Sequence, residues 1–218
     1  MTDPILSPVE ARIVAVLLEK KLTVPDTYPL SLSALVSGCN QKSAREPVMA
    51  LDDQDVLVAL EKLRRQSWVI ESSGSRVSRY EQNAARVLGI AGNGMILLAV
   101  LMLRGPQTVA ELRANSQRWY AFVDASSVEA FLNELAERSS GALVVKLPRQ
   151  PGARESRWAH LLCGDVIVPD KVAVREPVGP VAGQESGRLE TLERRITALE
   201  QQVSELRESL SQKSVSDQ

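Results

Sequence analysis

Residues 31–80 read SLSALVSGCNQKSAREPVMALDDQDVLVALEKLRRQSWVIESSGSRVSRY. The stretch runs from a short apolar-faced segment through an irregular connection to a longer amphipathic segment and two strand-like runs. Val56, Leu57, Leu60 and Leu63 recur at helical spacing. Asp52, Asp53 and Asp55 crowd the start of that helix, where the dipole favours carboxylates, and Lys62, Arg64 and Arg65 crowd its end. Trp68, Val69 and Ile70 then open a strand. Ser72 to Ser75, with Gly74 inside, turn the chain, and Arg76 to Tyr80 return antiparallel. Helix, connection, helix and hairpin is the order of a winged helix-turn-helix, with the longer helix as recognition helix and the hairpin as wing.

Working outward, Ser7-Pro8 with Glu10 three residues after the serine predicts a capping box and a first helix ending near Leu22. TVPDTYPL, residues 23–30, holds two prolines and predicts an extended connection, after which Ser31 caps a short helix carrying Leu32, Leu35 and Val36. NQKSAREPVMAL, residues 40–51, is long for the link inside a helix-turn-helix, and Pro47 stops it from being helical. It is either a solvated loop that lets the third helix dock or an insertion built for contact through Lys42 and Arg45.

The plan then repeats at a period of roughly 75 residues. AGNGMILLAVLMLR, residues 91–104, is apolar almost all round, which predicts a helix buried between domains. Gly105-Pro106 ends it, TVAELRAN mirrors SLSALVSG, and Ser126 or Ser127 is expected to cap a third helix with Val128, Phe131, Leu132 and Leu135 inward. Residues 142–147 and 156–162 form the second wing. The fold class is therefore α+β, mainly α with small β wings. A first winged-helix domain covers residues 1–83 and a second covers 84–165. A Pro/Gly linker follows at 166–187 and a coiled-coil helix at 188–213. In that last segment Leu189, Ile196, Val203 and Leu210 fall at heptad position a, and Leu192, Leu199 and Leu206 at d. Arg188 and Arg195 at g face Glu193 and Glu200 at e, so the expected partner is a second copy in a parallel homodimer. A single amphipathic helix folded back on its own domain is the competing arrangement.

Composition narrows the function classes. Among 218 residues, 26 basic side chains stand against 27 acidic ones, so no global basic field exists to coat DNA nonspecifically. Only 4% of residues are aromatic against 44% hydrophobic, which predicts aliphatic cores. The opening MTDPILSPVE shows no basic-then-apolar leader pattern, and no apolar run reaches about 18 residues, so a soluble cytoplasmic protein without membrane contact is expected. Cys39 and Cys163 lie apart in sequence and read as reduced thiols, neither with metal-ligand spacing. His160, the only histidine, lies in an alternating strand-like run and is expected to hydrogen-bond structurally rather than act as a base. No catalytic, cofactor or metal residues are assigned, and the chain is not expected to be an enzyme.

LSPVEARIVAVLLEK, VPDTYPLSLSALVSGCNQKSAREPV, GPQTVAELRANSQRWYAF and LPRQPGARESRWAHLL resemble the YceH-like family over about residues 5–164. That is a bacterial family of tandem winged-helix proteins with no assigned biochemical function. The resemblance implies the two-domain fold and brings no site residues with it. Ala44 and Asn115 depart from its usual pattern, which has a small polar residue at the first position and often an arginine at the second.

For DNA recognition the third helices are poor. Asp55, Val58, Lys62 and Arg65 form the outward stripe of the first, behind three aspartates, and Glu129, Glu134 and Glu137 mark the second. The wings and loops are better. The candidate DNA contacts are Lys42, Arg45, Arg76 and Arg79 in the first domain and Lys146, Arg149, Arg154 and Arg157 in the second. Leu60, Leu63, Leu132 and Leu135 are expected to be structural only. A DNA-associated, transcription-regulator-like protein that grips duplex DNA through its wings as a dimer is the leading reading. A protein-interaction adaptor that binds another protein without DNA is the alternative, favoured by the acidic helices and the near-zero net charge.

Overall fold

Ser7 Oγ accepts the Glu10 amide at 3.3 Å while the Glu10 carboxylate accepts the Ser7 amide at 2.7 Å, the expected capping box. It starts α1, Pro8–Thr23, in which every residue from Glu10 to Leu18 is buried. A helix enclosed on all sides needs partners on all sides, and the rest of the chain is wrapped to supply them. The computed structural model describes residues 5–72, 77–90, 92–164 and 166. Apart from Val166, the expected linker and the coiled-coil helix at 188–213, with its dimer residues, lie outside the described residues.

The connection at 23–30 is not wholly extended. Pro25–Thr27 forms one turn of 3-10 helix, and Leu30–Ser31 forms a short strand, β1, before α2, Leu32–Cys39, which Ser31 caps. A Cβ on Gly38 would lie 2.7 Å from Val16 Cγ1, so glycine is what lets α2 cross α1 this closely. The longer helix, α3, spans Asp53–Arg65, with Asp52 as cap and Asp55 completing a second capping box. Val56, Leu60 and Leu63 face inward as expected, but Leu57 is 39% exposed. It stands about 100° round the helix from Val56, off the buried stripe, and Ala59 fills that stripe instead.

The hairpin consists of β2, Val69–Ser72, and β3, Arg79–Gln82, in register Val69 to Gln82 and Ser72 to Arg79. Its return strand therefore runs on past Tyr80. β1 pairs with the other edge of β3, giving the order β1-β3-β2. A five-residue helix, α4 (Ala84–Leu88), was not legible in the sequence. It ends on Gly89 at φ 62°, a left-handed stop suited to glycine.

The second half opens with α5, Gly92–Arg104, buried continuously from Gly94 to Leu103. It packs on α1 more extensively than any other pair of helices packs, which agrees with its all-round apolarity. Next comes Gln107, bridged to Trp158 where the first half has β1, and then α6, Val109–Ser116, capped by Thr108 with Glu111. The expected serine cap of the third helix is corrected: Asp124 caps α7, Ala125–Ala136, and Ser127 is its third residue, the one whose amide the cap accepts. An aspartate accepts that bond as well as serine does, and starting earlier gives the helix its full length. β4, Val144–Lys146, and β5, Trp158–His160, form the second hairpin.

Each half thus runs helix, short strand or bridge, helix, helix, hairpin, a mixed α+β arrangement with small antiparallel sheets. Hydrogen bonds join the halves. Leu6 donates its amide to Leu162 O (2.9 Å) and Glu46 donates to Leu103 O (2.7 Å). Among the described residues no helix is long and apolar enough to cross a membrane.

Candidate nucleic-acid interface

The insertion at residues 40–51 is held by polar side chains buried against α1. The Asn40 side chain copies a strand pairing, donating to Leu51 O at 2.7 Å and accepting the Leu51 amide at 2.8 Å. Arg12, 1% exposed on α1, donates to Cys39 O at 3.0 Å and Pro47 O at 2.7 Å, so it grips the residue before the segment and a carbonyl within it. Arg45 is 4% exposed and spends its guanidinium inside the fold, on both Glu19 carboxylate oxygens, the Gln41 side chain and the carbonyls of Gly38 and Ala44. The candidate contact Arg45 is therefore withdrawn from the surface and anchors the insertion on α1, while Ser43, Glu46, Pro47, Val48 and Ala50 stay exposed. Lys42 stays exposed, with no hydrogen bond or ion pair among the described residues.

The hairpins divide their cations in the same way. Arg76 lies outside the described residues. Arg79 donates to Pro29 O at 2.8 Å, bracing β3 against the residue before β1. Arg157 repeats that bond in the second half, donating to Pro106 O at 2.8 Å and to Glu111 at 3.1 Å. Lys146 pairs with Glu129 of α7 at 2.8 Å and sits 5.5 Å from the centre of the Trp158 ring. Three of the candidate contacts are thus fastened at the bases of the hairpins. Arg149 and Arg154 are exposed on the loop between β4 and β5 and make no hydrogen bond or ion pair among the described residues. Pro151 and Gly152 form the tip of that loop, Gly152 sits at φ 80°, and the Ala153 amide closes the turn on Gln150 O at 3.1 Å.

The outward faces of the third helices carry neutralised or acidic side chains. On α3, Lys62 reaches Glu10 at 3.0 Å, Arg64 reaches Glu71 at 2.7 Å and Arg65 pairs with Glu61. Asp53 and Asp55 remain exposed at its start, and Val58 is 60% exposed at its middle. An open groove of about 500 Å³ runs between this face and the start of α1, lined among others by Val9, Glu10, Val58 and Lys62. On α7 and its C-terminal cap, Glu134 and Glu137 are exposed while Glu129 is taken by Lys146.

Burial shifts both thiols and the histidine. It pushes the Cys39 thiol up to about 12 and the Cys163 thiol up to about 11, so both are inert thiols at neutral pH. His160 on β5 pairs across the strand with Val144, and burial lowers its pKa to about 4. Its Nδ1 has no hydrogen-bond partner among the described residues, so the expected structural hydrogen bond is not made. No three His, Cys, Asp or Glu side chains come together as a metal would require among the described residues.

Sequence reading missed Arg12, hidden inside an apolar helix, and the paired bracing of Arg79 and Arg157. The second had a signal: Pro29-Leu30-Ser31 with Arg79-Tyr80 parallels Pro106-Gln107-Thr108 with Arg157-Trp158. Asn115, one of the two departures from the family pattern, bonds Gln107 Oε1 at 2.7 Å and so serves this same junction.

Against known proteins, residues 6–153 match the family model described as "Protein of unknown function, DUF480". A UPF0502 protein of Leptothrix cholodnii is 64% identical over 163 residues, 75% of this chain and 73% of its own length. One from Albidiferax ferrireducens is 52% identical over 207 residues, covering 94% of this chain and 90% of the relative. The resemblance carried by the quoted motifs agrees with these matches.

Proposed function

This chain belongs to the family of proteins of unknown function described as DUF480, and from that premise we propose that it is a cytoplasmic, dimeric, DNA-associated protein of two tandem winged helices, with a binding rather than a catalytic role. The order helix, short strand or bridge, helix, helix, hairpin in each half supports the winged-helix reading. One observation carries the DNA reading. The loop of the second hairpin presents Arg149 and Arg154 unpaired and exposed, while the other wing cations described are tied into the fold. Free guanidinium groups on a narrow projecting loop are what a phosphate backbone binds. The heptads at 188–213 supply the second copy that doubles such a contact.

The test is capture of genomic fragments by the full chain, followed by anisotropy titration at two salt concentrations. Selected sites with a steep salt slope support the reading, and charge reversal at Arg149 and Arg154 flattens that slope by about two for the two phosphate contacts removed. Unchanged affinity in that variant overturns the wing mechanism. Sedimentation of the chain shortened by residues 188–218 tests the dimer, which should fall to monomer.

An adaptor role keeps one specific support. Leu57 and Val58 are exposed beside aspartates on α3, a surface suited to a protein groove with basic rims and ill suited to a phosphate. A chain that selects no DNA fragment, and whose protein partner is lost on Val58→Glu, would establish that role instead.

A further inference from the structure

We propose that the loop between β4 and β5 reads the minor groove of A·T-rich duplex DNA, with Arg149 and Arg154 as the inserted side chains. The inference rests on the proposed DNA association and assigns it to one groove. The B-form major groove is about 12 Å wide and accepts a helix, whereas the minor groove is about 6 Å wide and accepts a thin loop or extended side chains. Neither third helix is fit for the wider groove. α3 begins on Asp52, Asp53 and Asp55, and its cations are held by Glu10, Glu61 and Glu71. α7 begins on Asp124 and, with its C-terminal cap, exposes Glu134 and Glu137.

The loop has the opposite character. Between Pro148 and Ala153 it carries no aromatic or branched aliphatic side chain, and the turn at Pro151-Gly152 keeps it narrow. Lys146 and Arg157 brace its base on Glu129 and Glu111, and every residue from Pro148 to Glu155 is exposed. The two free arginines flank the tip, one on each limb. A guanidinium is planar and weakly hydrated, and the narrow minor groove of A-tracts has the most negative potential along the duplex. G·C pairs raise an amino group from the floor of that groove, so A·T pairs admit the side chains more deeply. Glu155 is the one opposing charge on the loop.

The experiment measures anisotropy of the full chain on four duplexes of equal length, built from A·T, G·C, inosine·C or diaminopurine·T pairs. Inosine·C presents the major groove of G·C and the open minor-groove floor of A·T, and diaminopurine·T obstructs that floor while keeping thymine in place. The expected result is affinity about tenfold tighter for A·T and inosine·C than for the other two, with Arg149→Ala/Arg154→Ala binding all four alike and weakly. A thermal melt of that variant matching the parent shows that the fold is intact. Affinity that groups G·C with inosine·C, or a preference that survives the double variant, overturns the inference. Equal binding to all four by the parent chain overturns it too and leaves DNA association standing. No binding to any duplex overturns both.

Discussion

Arg45 and Lys42 stand three residues apart in one basic loop, yet one is buried and the other exposed. Their sequence context is alike, and what separates them is Glu19, twenty-six residues earlier on α1, whose carboxylate holds the Arg45 guanidinium. A local reading sees the charge and not its distant partner, so basic residues are the part of the candidate site least legible in the sequence. Arg45→Ala should destabilise the protein by about 3–5 kcal/mol, because Glu19 keeps only a poor pairing with Lys20 at 3.6 Å. Denaturant titration measures this, and the folded variant should bind DNA as the parent does. His160 gives a residue-scale pH dependence. Its folded pKa of about 4 lies below the ordinary 6.5, so the unfolded chain binds the extra proton between those values. The stability that neutral His160 contributes is full above about pH 6.5 and is lost as pH falls towards 4, by roughly 3 kcal/mol in all. Unfolding free energies across that window should lose this step in His160→Gln, and a profile identical to the parent's would refute the assignment.

Helices were legible where caps and period agreed, and less so where one signal stood alone. Ser7 with Glu10 and Ser31 each mark an α-helix start correctly, because short polar side chains there have one geometric task. At α7 three such residues, Asp124, Ser126 and Ser127, compete within one turn, and spacing alone does not choose between them. The Asp124 carboxylate accepts the Ser127 amide at 2.7 Å, and that bond holds its pKa below the usual carboxylate value. Asp124→Ala should therefore lower the melting temperature clearly more than Ser126→Ala. Equal melting temperatures for the two variants would return the cap to the serines. β1, two residues long, and α4, five residues long, were missed for a different reason. Each is shorter than the window over which its period becomes visible, and each exists because a neighbour supplies its pairing or its core. The sheet edge that β1 completes comes from Tyr80, fifty residues on.

At the scale of the molecule, α1 and α5 decide how the halves behave together. A helix buried on one face belongs to one domain, but these two are enclosed along most of their lengths, and each is the other's most extensive partner. Cut between the halves, each would expose an apolar face of Val, Ile and Leu side chains, every one of which contributes about 1.5–3 kcal/mol when buried. Leu6 to Leu162 and Glu46 to Leu103 cross the same boundary, so separation would also leave polar groups unmatched. The repeat predicts two domains, whereas buried residues of both halves join in one core cluster; the all-round apolarity of residues 91–104 already pointed to a helix buried between them. What the repeat concealed is that neither copy has a complete core. Calorimetry of the full chain should therefore show one cooperative transition covering both halves, and chains limited to residues 1–83 or 84–165 should fail to fold alone. Leu101→Ala, a truncation in α5, should lower the stability of the whole body by about 2–5 kcal/mol and leave its signals from Trp68 and Trp158 melting together. Two separable transitions, or a folded first half on its own, would mean that the shared core is not what unites them. The two hairpins would then be free to reorient independently of one another.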